Sequence, residues 1–198
     1  MGNLYDAPLN LPDDAIDLYR QAGEISAGIG DAASEGRARG NLAVTLCRLK
    51  RLDEAHREIL RAIECGASFG HVSEPWTNWS IRATIESARG DPTAAADARG
   101  KAVAAYLTFR RDGGENHYAD GRIAHAVTRA WHASDSAAAA SLLRQLAARP
   151  DLQQSFPFIH TLQSIVAGNR TPTVAETTGL NITMAAECLL LIETLEAH

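Results

Sequence analysis

Apolar and small residues recur along this chain at i, i+4, i+7, the spacing that lines one face of an α-helix. Ala15, Tyr19 and Ala22 form one such set. Forty residues later come Ala55, Ile59 and Ala62, and forty after that Ala95, Arg99 and Ala102. Looser versions follow at Ala139, Leu143, Leu146 and at Ala185, Leu189, Ile192. A second series with the same spacing interleaves with the first: Leu42/Leu46/Leu49, Ile81/Ile85/Ala88, Ile123/Val127/Ala130 and Phe158/Leu162/Ile165. Two helix types alternating at a fixed period mark a helical-repeat array. Sustained period-two alternation, the sign of strands, is missing.

The punctuation between these runs agrees. Asp91-Pro92 after Gly90 sets an N-cap acid before a proline at the first helical position, where its missing N–H costs nothing. Gly30-Asp31 separates the first helix from the second, Ser134-Asp135-Ser136 offers caps before an alanine run, and Pro150 stops that helix. Helices are predicted near 12–29, 32–50, 52–66, 74–89, 92–111, 117–133, 135–148, 156–168 and 182–197. Gly113-Gly114 can end a helix through positive φ, with Arg110 and Arg111 complementing its negative end. The longest predicted loop, from Asn169 to Leu180, either lengthens the last hairpin or is a mobile contact loop.

The run Asn41-Leu42-Ala43, then Leu46, Leu52, Ala55, Ile59 and Ala62, resembles the tetratricopeptide repeat (TPR) family in its spacing of large and small residues. The resemblance implies an all-α, right-handed superhelix of antiparallel helical hairpins, an α-solenoid of about nine helices. In it, residues 1–11 are an irregular N-terminal segment, 12–111 are TPR-like repeats, and 112–198 are divergent hairpins that cap the same domain. The period is nearer 40 than the usual ~34 residues, as in long-repeat bacterial TPR proteins, and Arg99 stands where a bulky apolar residue is expected. The stretch Leu107 to His117 is similar to a segment of bacterial proteins in which TPR arrays adjoin a nucleotide-binding switch module or a protease-like effector domain. That likeness implies a sensor or oligomerisation segment of a larger signalling protein, or its free-standing relative. The first helix is of the second-in-hairpin type and lacks a preceding partner, so Ile16 and Leu18/Tyr19 are expected to be exposed and to drive self-association.

The TPR register places a concave, peptide-binding face on the first helix of each hairpin. Arg37, Asn41, Val44 and Arg48 come from the first full repeat, Trp76, Trp79, Ala83 and Glu86 from the second, and Arg122, His125, Arg129 and His132 from the third. Of these, Arg37, Asn41, Arg48, Trp76, Arg122, His125 and Arg129 are the candidate partner-binding set. Trp79 and Trp131 are read as packing residues.

Composition removes other functions. Of 198 residues, 45% are hydrophobic and 22% charged, the balance of an ordinary globular chain, and the formal charge of −5 opposes a nucleic-acid footprint. No apolar run approaches membrane-spanning length. Cys47, Cys65 and Cys188 lack metal or redox spacing and, with no signal-peptide pattern, predict reduced thiols in a cytoplasmic protein. His125 and His132 are seven apart, too far along a helix for one zinc ion. No Gly-x-Ser-x-Gly, P-loop or acid–base set is present. The expectation is a non-enzymatic module without metal or cofactor, whose partner is a protein or peptide; a metal-dependent enzyme built on His125 and His132 ranks last.

Overall fold

The computed structural model describes residues 12–134 and 136–197; the expectations for residues 1–11 and for a cap at Asp135 lie outside the described residues. Among these residues the structure is helical and contains no strand. The helices are α1 (Pro12–Gly28), α2 (Ala32–Arg48), α3 (Leu52–Gly66), α4 (Pro75–Arg89), α5 (Pro92–Arg111), α6 (Ala119–Ser134), α7 (Ser136–Ala147), α8 (Phe156–Val166) and α9 (Ile182–Glu196). Short 3₁₀ turns lie at Gly70–Ser73, Pro150–Ser155 and Pro172–Glu176. None of the helices is long and apolar enough to cross a membrane.

Local chemistry sets the boundaries. Asp31 Oδ1 accepts the Ser34 N–H at 3.0 Å, Asp91 Oδ1 accepts that of Ala94 at 2.9 Å, and Asn181 Oδ1 accepts that of Met184 at 2.8 Å. Each bond satisfies an N–H that the first helical turn leaves without a partner. α5 ends where Gly113 turns to φ 91°, which lets the Gly114 N–H reach back to the Phe109 carbonyl at 2.9 Å. Arg110 does more than complement the helix end: it donates to the Gly114 carbonyl at 2.7 Å and ion-pairs with Glu187.

The chain divides into two compact units, one ending at Ala102 and the other beginning at Val103. In the first, α1 packs on α2, α2 on α3 and α3 on α4, and α2 also reaches α4. Its core holds Ile16, Leu42, Leu46, Ile59 and Ile85, with Ala43, Ala55 and Ala62 where helices cross closely. In the second, α6 packs on α7, α7 on α8 and α8 on α9, and α9 returns to α6. These four helices therefore close a ring around Phe158, Leu143, Leu162 and Leu191, whereas each hairpin of a solenoid meets only the next. The Asn169–Leu180 segment is ordered against this ring, with Val174 and Leu180 buried and the Pro172–Glu176 turn packed on α9.

Two helix faces differ from the expected register. Ile16 is not exposed: α1 packs on the following helix α2, burying Ile16 and Gly23 with Tyr19 against the core, and leaves Leu18 and Ala22 exposed. Gly23 lies close under Arg39, where a Cβ would stand 3.3 Å from the guanidinium. Likewise α5 buries Ala98 and Ala102 rather than Ala95. Arg99 therefore lies beside the buried stripe and no bulky apolar residue is needed there.

Candidate functional site

The first unit carries an open groove of about 420 Å³ between α2, the end of α3, the Gly70–Ser73 turn and the start of α4. α2 presents Gly36, Arg37, Gly40 and Asn41 on one face, because positions three and four apart share a helix side. Two of these, Gly36 and Gly40, form a closely packed floor. A Cβ on Gly36 would stand 3.0 Å from Cys65 Cβ, and one on Gly40 would stand 3.3 Å from Asn78 Oδ1. The opposite wall holds Phe69, Val72, Asn78 and Ile81. Val72 is 91% exposed, an uncommon position for a branched aliphatic residue. Glu74, at the rim, takes left-handed backbone angles with φ 45°, a conformation that costs a residue with a side chain about 1 kcal/mol or more. Its N–H bond to the His71 carbonyl at 3.0 Å holds it there.

Charge pairing separates the arginines that hold the fold from the one in the groove. Arg61 grips buried Glu35 with two bonds of 2.8 and 3.0 Å, and Arg39 bonds Glu58 at 2.9 Å. The Arg61 bonds hold the Glu35 carboxyl below its ordinary value near 4.5. Burial and then Glu35 push the Cys65 thiol upward, which leaves it un-ionised and inert as a nucleophile. Burial likewise pushes Cys188 up to about 12. Arg37 makes no ion pair, and the Asn41 and Asn78 carboxamides make no hydrogen bond, among the described residues. Arg37 acts on the Asp31 carboxylate only at longer range, and all three side chains keep hydrogen-bonding capacity for a ligand.

The Glu35 pair also sets an acid response. A carboxyl whose folded pKa lies below its unfolded value stabilises the fold fully above about pH 4.5, and loses that contribution as pH falls through the lower folded value. The urea midpoint should therefore decline below about pH 4.5, and Glu35→Gln should flatten that decline while lowering stability at neutral pH.

Of the residues singled out in the sequence, Arg37 and Asn41 meet in the groove. Arg48 is exposed at the end of α2, outside it, and Trp76 is half-buried in the first turn of α4, also outside it. Trp79 is half-buried under two cations, with Arg82 at 5.3 Å and Lys101 at 4.9 Å from the ring centroid. Arg122, His125, Arg129 and His132 line an exposed face of α6 in the second unit, where Arg122 donates to the His117 carbonyl at 3.0 Å. Glu86 corrects the expectation of an open-face residue. It is fully buried, with His56 at 2.9 Å and Arg89 at 3.0 Å on its carboxylate, so pairing rather than exposure satisfies its charge.

Sequence reasoning missed Asn78, Phe69, Val72, Glu74 and Ile81. The signal available for Phe69 and Val72 was a pair of large apolar residues in a glycine-containing connection, where nothing in the chain requires them. No group of three His, Cys, Asp or Glu among the described residues could hold a metal ion.

Comparison with protein-family models, with curated proteins and with solved structures finds no match for this chain.

Proposed function

We propose that the first unit is a non-enzymatic, TPR-like recognition module that holds an extended segment of a partner protein in the groove between α2 and α4. The observation that carries this reading is the set of unpaired polar side chains, Arg37, Asn41 and Asn78, around exposed Phe69 and Val72 over a floor of glycines. A carboxamide offers one donor and one acceptor side by side, the complement of a peptide group, so Asn41 and Asn78 suit a peptide backbone. Phe69, Val72 and Ile81 suit apolar side chains, and Arg37 suits an acidic residue or a terminal carboxylate. The stacking of α1 to α4 on their sequence neighbours, with α2 also reaching α4, supports the solenoid character of this unit.

Selection from a displayed random-peptide library against the purified chain tests the reading. Selected peptides should combine apolar residues with an acidic position. Arg37→Glu should weaken their binding at least tenfold, and Asn41→Ala or Asn78→Ala about fivefold each, near 1 kcal/mol per lost hydrogen bond. Arg48→Glu, outside the groove, should leave binding unchanged. Since none of the three side chains supports the core, thermal unfolding should not move. Peptides that bind Arg37→Glu as tightly as the original chain overturn the assignment.

A further inference from the structure

α1, with Ile29 in the turn that follows it, carries a second apolar stripe on the side turned away from α2. Leu18, Ala22, Ile25 and Ile29 follow one another at intervals of four, three and four, the heptad spacing of a helix that packs against another helix. The three large members are 64%, 65% and 75% exposed. A soluble chain seldom leaves such a row uncovered, because it forms one contiguous patch.

We infer that this face is a homodimer interface, in which α1 pairs antiparallel with α1 of a second copy. The stripe complements itself under a twofold axis between Gly23 and Glu24. In that register Ala22 lies against Ile25 of the second copy and Ile25 against its Ala22, while Leu18 and Ile29 face each other at both ends. Small opposite large at the centre lets the helices approach, and large on large closes the ends. Charge selects the direction, and the flanks put no like charges against a second copy. The positions flanking the seam, Gln21 opposite Gly28 and Tyr19 opposite Ser26, are uncharged. Parallel pairing would instead gather Asp13, Asp14 and Asp17 of both copies at one end, with both helix dipoles aligned. Antiparallel pairing separates these acids by the length of the helix. Three helical turns of contact with their flanking side chains cover on the order of 1,000 Å² over both copies, the lower edge of specific association, so a micromolar dimer is expected.

This inference rests on no part of the groove reading, and Arg37→Glu should leave the dimer intact. Sedimentation velocity of the 198-residue chain between about 1 and about 100 µM tests it, a range that brackets a micromolar equilibrium. The chain should be dimeric at the upper concentration and largely monomeric at the lower. Ala22→Arg and Ile25→Glu should each be monomeric throughout, with unchanged helicity and, at about 1 µM where the original chain is also largely monomeric, an unchanged unfolding midpoint. In a Cys47→Ser background, Ala22→Cys and Ile25→Cys chains mixed together should cross-link to each other faster than either does to itself. A monomer at about 100 µM, a dimer indifferent to both charged substitutions, or faster like-with-like cross-linking overturns the inference.

Discussion

Replacing Glu187 with alanine should cost about 3 to 5 kcal/mol of folding free energy, the loss expected when one partner of a buried ion pair is removed. Glu187 lies on α9 and is buried in the second unit. Arg110 Nε approaches its Oε1 at 2.9 Å and Nη2 donates to Oε2 at 3.3 Å, while Asn116 Nδ2 donates to Oε1 at 3.1 Å. The same Asn116 reaches toward buried Asp120, whose carboxylate also accepts the Thr183 hydroxyl. One carboxylate thus ties the end of α5, the Gly113–Tyr118 connection and α9 together. Its removal leaves the Arg110 guanidinium in a site with little water and releases the connection at Asn116. Glu187→Gln keeps the shape and an acceptor for Asn116 but not the charge, and should cost less than half as much. Urea unfolding checks this: the midpoint should fall with an unchanged slope. A double-mutant cycle with Arg110→Ala should give strong coupling, because each residue alone strands the other. A loss below about 1 kcal/mol for Glu187→Ala would show that Arg110 finds water and that the network does not hold the connection.

What the sequence disclosed and what it hid divide along the range of the interactions. Helix ends were legible because caps and positive-φ glycines act within five residues, as at Asp91 and Gly113. The core faces of α3 and α8 were legible because Ala55, Ile59 and Ala62, or Phe158, Leu162 and Ile165, offer only one apolar side. α1 was misread because it is apolar on two sides, and its own periodicity does not say that the side of Ile16 turns inward. Glu86 was misread because a carboxylate was given to solvent, when Arg82 and Arg89 on its own helix pair with it and His56, thirty residues away, closes over it. The return of α9 to α6 in the second unit is a contact between helices some sixty residues apart, and no periodicity reports it. Half the groove was visible as a face of α2. The other half comes from a turn and the start of α4 whose path is set by tertiary packing, so the apolar pair Phe69 and Val72 stood out in the sequence without showing that they face Arg37 and Asn41.

In the first unit, Ile59→Ala should cost roughly 3 to 5 kcal/mol, the upper part of the range for truncating a buried aliphatic side chain. Ile59 is fully buried at the centre of α3. Its neighbours in the core include Ala43, Ala55 and Ala62, which have no rotamer freedom with which to fill a vacated space. A site walled by longer side chains collapses partly after truncation; this one can close only by moving helices. Movement of α3 toward α2 is opposed where Gly36 already packs closely on Ala62 and Cys65. The cavity should therefore persist, and its cost should exceed that of Leu52→Ala, a half-buried position on the same helix. Denaturant unfolding of both variants gives the comparison. The same rigidity bears on the groove, because the crossing of α2 over α3 that makes Ile59 intolerant of truncation also fixes the spacing between Asn41 and Asn78. Ala62→Leu tests that link from the other side. Forcing the helices apart should cost about 1 to 3 kcal/mol through overpacking and should weaken peptide capture, while Ile59→Val, which keeps the spacing, should lose about 1 kcal/mol and bind normally.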